Sequence, residues 1–307
     1  MSAAWGNGIL YLPRLYLAIS SLPAIIVLER KKGDDLMKLL IKVALAGAAL
    51  ILIMIIAFRL HTLLGWGLVI VLAGAMVYVS RSSYYAIRGS SAFAADQFEQ
   101  ALAWYRKAYH SKPCPENHQI GYAYMLMRTG ESVQAEAVLQ KLLGRTGNHE
   151  IRMQASCNLA TAYWLQGKRD EAVKELEDVF KQYKNTLIYG NLGYFKLMHG
   201  DLRESLEFNL AAYEFNSDDK TILDNCALNY YMLGQMTEAE ALFEKLMSKS
   251  PKRAEPYYYY ALTLKKLGKN EEAAEQMKQA LSKELSFLTT VTRSEIAEAA
   301  KEMNVEE

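Results

Sequence analysis

One feature restricts this chain more than any other: a short spacing from a turn residue to a small residue that returns six times at a nearly constant interval. Gly130 leads to Ala135, Gly167 to Ala172, Gly200 to Ser205, Gly234 to Ala239 and Gly268 to Ala273, and Asp96 precedes Ala101 by the same distance. Taken as anchors, Ala101, Ala135, Ala172, Ser205, Ala239 and Ala273 are separated by 34, 37, 33, 34 and 34 residues. A period near 34 residues is the length of a two-helix unit. Such units cannot bury their apolar faces alone and therefore stack.

Columns counted from the anchors carry the same message. Twelve residues before them stand Gly89, Ala123, Ala160, Gly193, Ala227 and Ala261, all small. Seven after stand Ala108, Leu142, Val179, Ala212, Leu246 and Ala280, all apolar. Four after stand Tyr105, Leu139, Leu176, Asn209, Phe243 and Met277, where only Asn209 breaks the pattern. Small residues at two facing columns let the helices of one pair approach closely. The glycine ends the first helix by taking a left-handed conformation, and acids such as Asp170–Glu171 and Glu271–Glu272 open the second, where they suit the helix dipole.

With these residues in one phase, the chain resembles the tetratricopeptide repeat family. The resemblance covers about Ser82 to Ser286 as six pairs. It implies an all-α fold, a right-handed α-solenoid of about six helix pairs. Departures are Asp96 in place of the first turn glycine, inter-pair prolines at Pro113 and Pro251 only, Lys196 in a column that is aromatic at Tyr163 and Tyr230, and a longer loop near Gly144–His149. Beyond the sixth pair, Thr292 and Glu295 have capping-box spacing, so a final helix is expected to cover the open end of the stack.

The amino-terminal part follows different physics. Leu39–Phe58 and Leu63–Val79 are apolar runs of about the length that crosses a bilayer. Only Arg59, Leu60, His61 and Thr62 separate them, which predicts a transmembrane hairpin over residues 37–80. Gly47 and Gly74 lie at matching depths and are expected to face each other as packing positions. Arg30, Lys31, Lys32, Lys38 and Lys42 precede the hairpin and Arg81 and Arg88 follow it, so both ends are expected in the cytoplasm. No proline lies between Val79 and Ala94, so the second span is expected to run directly into the array. Residues 1–36 stay open between a third span, an interfacial helix, a signal-like element and a mis-assigned start, since Pro13, Arg14 and Pro23 interrupt Ile9–Leu28 and Met37 would serve as an N-terminus. The domains expected are thus 1–36, the hairpin 37–80, the solenoid 81–286, and a capping helix with tail, 287–307.

Composition excludes more than it suggests. Lys and Arg number 35 against 34 Asp and Glu, which gives no basis for nucleic-acid binding. Cys114, Cys157 and Cys226 have no metal-ligand spacing and read as reduced thiols. The five histidines form no HExxH pair, and GxGxxG, Walker and GxSxG motifs are missing, so no catalytic residue, metal, cofactor or small-molecule substrate is expected.

One column points to binding. Fourteen residues before the anchors stand Asn158, Asn191 and Asn225 in three consecutive pairs. The resemblance implies that such asparagines line a concave groove and hydrogen-bond the backbone of an extended peptide, an amide being both donor and acceptor. Helical spacing adds Tyr124, Trp164, Tyr194, Tyr231 and Tyr258, with Met127, Met198 and Met232, to the same face. The expected protein is a membrane-anchored cytoplasmic scaffold or adaptor that binds a protein or peptide in this groove. The alternative is an accessory subunit of a membrane complex whose hairpin makes the main contact. The simple hairpin and the lack of eukaryotic sorting motifs point to a bacterial cell membrane.

Overall fold

The computed structural model describes residues 33–305, so the expectations placed on residues 1–32 lie outside the described residues. Those residues form two compact bodies, divided inside one helix at Leu126. Among them the regular structure is entirely helical.

The first body begins with α1 (Gly33–Leu60) and α2 (Thr62–Ala94). Both are long and apolar enough to cross a membrane. Their connection is shorter than the expected four residues: His61 alone lies between them. Its Nδ1 accepts a hydrogen bond from the Leu63 amide at 3.2 Å, so the side chain caps the second helix while the chain reverses. The helices approach closely at this end, where a Cβ on Gly65 would overlap the Phe58 ring. Gly47 and Gly74, expected as the packing positions, have nothing within 4 Å of an added Cβ. The large apolar side chains of both helices point outward instead, Leu45, Ile51, Ile70 and Val71 among them.

α2 does continue without a break into the repeat region. Its last turns bury Ser82, Ala86, Gly89 and Ala92. These pack with α3 (Phe98–His110), which buries Ala101, Tyr105 and Ala108. Tyr105 explains two glycines. Its ring lies 2.6 Å from where a Cβ on Gly89 would sit and 2.5 Å from one on Gly121, so only glycine fits at either place. The Tyr105 hydroxyl meets Ser90 Oγ at 2.8 Å, which satisfies its buried oxygen. Ser82 Oγ donates to the Ala108 carbonyl at 3.0 Å and sits 2.8 Å from His118 Nδ1. Burial pushes that imidazole down to about 4.

α4 (Glu116–Arg128) crosses from the first body to the second. The second body continues with α5 (Ser132–Leu143) and then four helix pairs. These are α6 (His149–Leu165) with α7 (Arg169–Gln182), α8 (Thr186–His199) with α9 (Leu202–Phe215), α10 (Lys220–Met232) with α11 (Met236–Met247), and α12 (Ala254–Lys266) with α13 (Asn270–Ser282). α14 (Arg293–Glu302) closes the series with the capping box formed at Thr292 and Glu295. Its Ile296, Ala299 and Ala300 pack on Ala254, Ala261 and Met277 of the last pair. The long loop expected near Gly144–His149 occupies residues 144–148, where Asn148 caps α6.

Every residue of the anchor column and of the columns twelve before, four after and seven after it is buried. The turn glycines divide, however. Gly130, Gly167, Gly234 and Gly268 have φ between +77° and +88°, and Asp96 takes the same region at +57°. Gly200 does not: its φ is −110°, and a Cβ there would lie 2.8 Å from the Lys196 carbonyl oxygen. At this one turn glycine is needed for space rather than for handedness, and Asp201 caps the following helix through the Arg203 and Glu204 amides.

Asn209, the polar residue in an apolar column, is inside all the same. Its Nδ2 donates to Asn229 Oδ1 at 3.1 Å and to the Gly193 carbonyl at 3.4 Å. Ser205 Oγ donates to the same Asn229 oxygen at 3.1 Å, and Asn229 Nδ2 donates to the Leu202 carbonyl at 2.8 Å. The fourth pair thus replaces an apolar contact by a buried polar cluster, and Gly193 leaves room for the Asn209 amide.

Candidate peptide-binding face

The first helices of four successive pairs, α6, α8, α10 and α12, carry the candidate groove residues of the sequence except Tyr124 and Met127, which lie on α4. The structure separates these residues into three groups.

The asparagines turn inward. Asn225 Nδ2 donates to the Gly190 carbonyl at 2.8 Å, joining α10 to α8, and the residue is 2% exposed. Asn158 Nδ2 donates to the Gln154 carbonyl of its own helix at 2.8 Å, while its Oδ1 is buried without a partner. Asn191 is buried too. Two of the three amide nitrogens are therefore committed to the fold, because a buried amide that did not donate would be costly.

Trp164 belongs to the packing beneath the face, whereas Tyr124 lies in the first body. Trp164 stacks on Phe195 at 4.1 Å between centroids, and the Arg169 guanidinium covers it at 3.9 Å. Tyr124 packs edge-on against Phe93 inside the first body. Met127 is buried.

The tyrosines of α8, α10 and α12 are the ones that gather. Tyr231 lies 5.4 Å from Tyr259 between ring centroids, and Tyr259 lies 5.1 Å from Tyr258. Lys266 caps the Tyr231 ring at 4.4 Å, while Lys265 pairs with Glu302 at 2.9 Å. Tyr194 sits among this group electrostatically. Burial raises its phenol first, and Tyr259, Glu255 and Asp224 raise it further. Burial lifts Tyr259 to about 12. Asp224, beside Asn225 on α10, is pushed up to about 7 by burial and then by the Glu255 carboxylate on α12. The face is thus aromatic, rich in hydroxyl groups and locally acidic.

Sequence reasoning missed what lies against it. The segment between α13 and α14 folds over these helices. The Tyr194 hydroxyl donates to the Leu288 carbonyl at 2.7 Å, although 94 residues separate them. Glu255 Oε1 accepts from the Ser286 amide at 2.7 Å and from its hydroxyl at 2.8 Å. Leu288 packs on the cluster that holds Trp164 and Phe195, and Arg128 stands over the Phe287 ring at 5.0 Å. The only hint in the sequence is an uncharged "SFLTTVT" where a polar connector would suffice.

The geometry defines a class first: a helical-repeat protein built on a 34-residue period, with an aromatic inner face. Comparison makes the class specific. Tetratricopeptide repeat profiles match residues 153–187, 227–253 and 254–282, so these segments are recognised as tetratricopeptide repeats. Solved structures share the fold at low identity. A chain of the APC/C Cut9–Hcn1 hetero-tetramer superposes with a TM-score of 0.59 at 14% identity, over 73% of this chain and 43% of that one. PilF of Pseudomonas aeruginosa gives 0.53 at 16% identity, over 73% and 99%. A tetratricopeptide repeat protein from Parabacteroides merdae gives 0.51 at 17%, over 73% and 89%. This chain spans less than half the length of the matched chain of the Cut9–Hcn1 assembly. No curated protein matches its sequence.

Proposed function

We propose that the chain is a membrane-anchored scaffold that holds a protein or peptide partner on the inner face of its repeats. The observation that carries this reading is the tyrosine group of α8, α10 and α12, with half-buried rings and a carboxylate within one site. Aromatic residues give large contact area with little side-chain entropy to lose, which suits recognition of another chain. The hairpin supports the anchoring. Its two helices carry outward-facing apolar side chains, and the basic residues on both flanks favour a cytoplasmic position for the repeats in a bacterial cell membrane. No reaction is part of the mechanism. Membrane and face act together as two linked contacts, which raise the effective concentration of the partner at the bilayer.

Asn225 holds the helices that carry the tyrosines, and Asn158 and Asn191, turned inward, support the proposed site from behind rather than contact the partner. The test is affinity capture from detergent-solubilised membranes with wild type and a Tyr231→Ala, Tyr258→Ala variant of equal helicity. One defined partner lost by the variant supports the reading; an unchanged partner set sinks it.

A second reading has its own observation. Gly47 and Gly74 leave open space on the hairpin surface, where a helix of another membrane protein would approach closely. In that case the chain is an accessory subunit held by its hairpin. Exchanging residues 37–80 for an unrelated hairpin then removes the partner, whereas the inner-face reading predicts that it stays.

A further inference from the structure

The loop that lies on the inner face has the form of a ligand. Its two ends are fastened to the last repeat pair. At one end the Ala254 amide donates to the Glu284 carbonyl at 3.0 Å, and Arg253 donates to the Leu285 carbonyl at 3.3 Å. At the other end Val291 is buried in the core shared with α14, and Thr292 begins the capping box. Between these clamps, residues 286–290 make a turn whose Thr289 amide reaches the Ser286 carbonyl at 3.3 Å. None of the five is fully buried, and Thr290 is exposed.

The turn tip nevertheless uses the recognition groups of the face. It offers a carbonyl to Tyr194, an amide and a hydroxyl to Glu255, a leucine to the Trp164 cluster and an aromatic ring to Arg128. Glu255 Oε2 stays buried without a partner, so the site holds an acceptor that the loop leaves unused.

We infer that residues Ser286–Thr290 are a built-in occupant of the inner face, and that the external ligand is a protein segment of the same chemistry: an aromatic residue followed by a large aliphatic one, its backbone offering a carbonyl to Tyr194 and an amide to Glu255. The loop and the ligand compete for one place. Clamped ends let the tip lift while α14 stays docked, because the capping box and the Ile296–Ala300 contacts do not involve residues 286–290. The observed affinity for a partner is then the intrinsic affinity scaled by the fraction of molecules whose loop is open. The unused Glu255 oxygen gives an external segment with one more donor an advantage over the loop.

The inference rests on the inner face being the partner site. It is tested with the full chain in detergent and a fluorescent peptide of residues 283–292, KELSFLTTVT. The protein is wild type or the loop variant Phe287→Gly, Leu288→Gly. The variant is expected to bind the peptide about tenfold more tightly than wild type, as a site open in roughly a tenth of molecules becomes fully open. Adding Tyr194→Phe is expected to weaken that binding. Equal binding to both proteins, or binding to neither, overturns the proposal. Should the loop variant lose helicity, hydrogen exchange on wild type decides instead. Amides 286–290 exchanging at least about a hundredfold faster than those of α12 and α14 support a lifting loop, and equal protection refutes it. Failure here with a partner still lost on Tyr231→Ala, Tyr258→Ala removes only the self-ligand. Peptide binding with no such partner loss removes the scaffold reading and leaves the loop's competition standing.

Discussion

The buried polar cluster between α8, α9 and α10 makes a sharp prediction, because a small substitution meets it head-on. In Gly193→Ala the new methyl group falls on Asn209 Oδ1, well inside van der Waals contact. Overpacking of this kind costs about 1–3 kcal/mol. Moving Asn209 also breaks its bond to Asn229, for about 1 kcal/mol more. Against this, alanine is a better helix former than glycine by about 1 kcal/mol. The net expectation is a loss of about 1–3 kcal/mol. In an Asn209→Ala background the obstructing atoms are gone, and the nearest remaining group is Asn225 Nδ2 at 3.2 Å. The same Gly193→Ala change is then neutral or mildly stabilising. The coupling between the two sites is therefore about 2 kcal/mol, which for a helical body of this size corresponds to about 4–8 °C in Tm. Thermal melts of the four proteins, followed by circular dichroism in detergent, measure it. Additive shifts, with Gly193→Ala equally harmful in both backgrounds, would refute the argument that Gly193 exists to admit the Asn209 amide.

Four further outcomes follow from local geometry. Gly167→Ala, at φ +79°, should cost about 1–2 kcal/mol, while Asp96→Gly, at φ +57°, should stabilise by a few tenths to about 1 kcal/mol; the same melts report both. Asp224 has a folded pKa raised from 3.8 to about 7, so the folded state holds its proton longer than the unfolded chain and stability falls as pH rises from about 4 to about 7. Three pH units set a ceiling near ~4 kcal/mol, and the residue's remaining exposure brings the expectation to about 2 kcal/mol. The advantage of Asp224→Asn over wild type should grow across this window and level off above it, and a constant difference from pH 4 to 8 would contradict the assignment. Thr292→Ala should cost about 1 kcal/mol by removing the Thr292–Glu295 box, seen as faster amide exchange confined to α14.

The repeat was legible in the sequence because its contacts are local and renewed in each unit. A small anchor packs against a small residue twelve positions earlier, and the same requirement returns about 34 residues later. Burial at every position of the four columns follows from that repetition. Gly200 was read as one more left-handed turn because the residue type is the same, whereas only the nearby Lys196 carbonyl distinguishes its role. Asn209 looked like a flaw because its partner Asn229 lies on another helix, twenty residues away. Ser205 and Asn209 together did hold a signal: two polar residues of one pair in columns that are otherwise small or apolar.

The inner face was legible only in part, and the reason is the same physics reversed. Helical spacing brings Tyr194, Tyr231 and Tyr258 to one side, since it needs only the geometry of each helix. It cannot say whether an amide such as Asn225 faces a ligand or the Gly190 carbonyl, as both lie near that side. It says still less about residues 286–290, which obey no period and meet Tyr194 and Arg128 only because the intervening helices have already stacked. Positions released from the repeat are free to answer to something other than stacking. A connector from α13 to α14 needs length and polarity, not Phe287 and Leu288. That both side chains are apolar and half-buried, Leu288 against the cluster that includes Tyr194 of α8 and Phe287 beneath Arg128 of α4, is the reason to treat the loop as part of the recognition site rather than as a link between two helices.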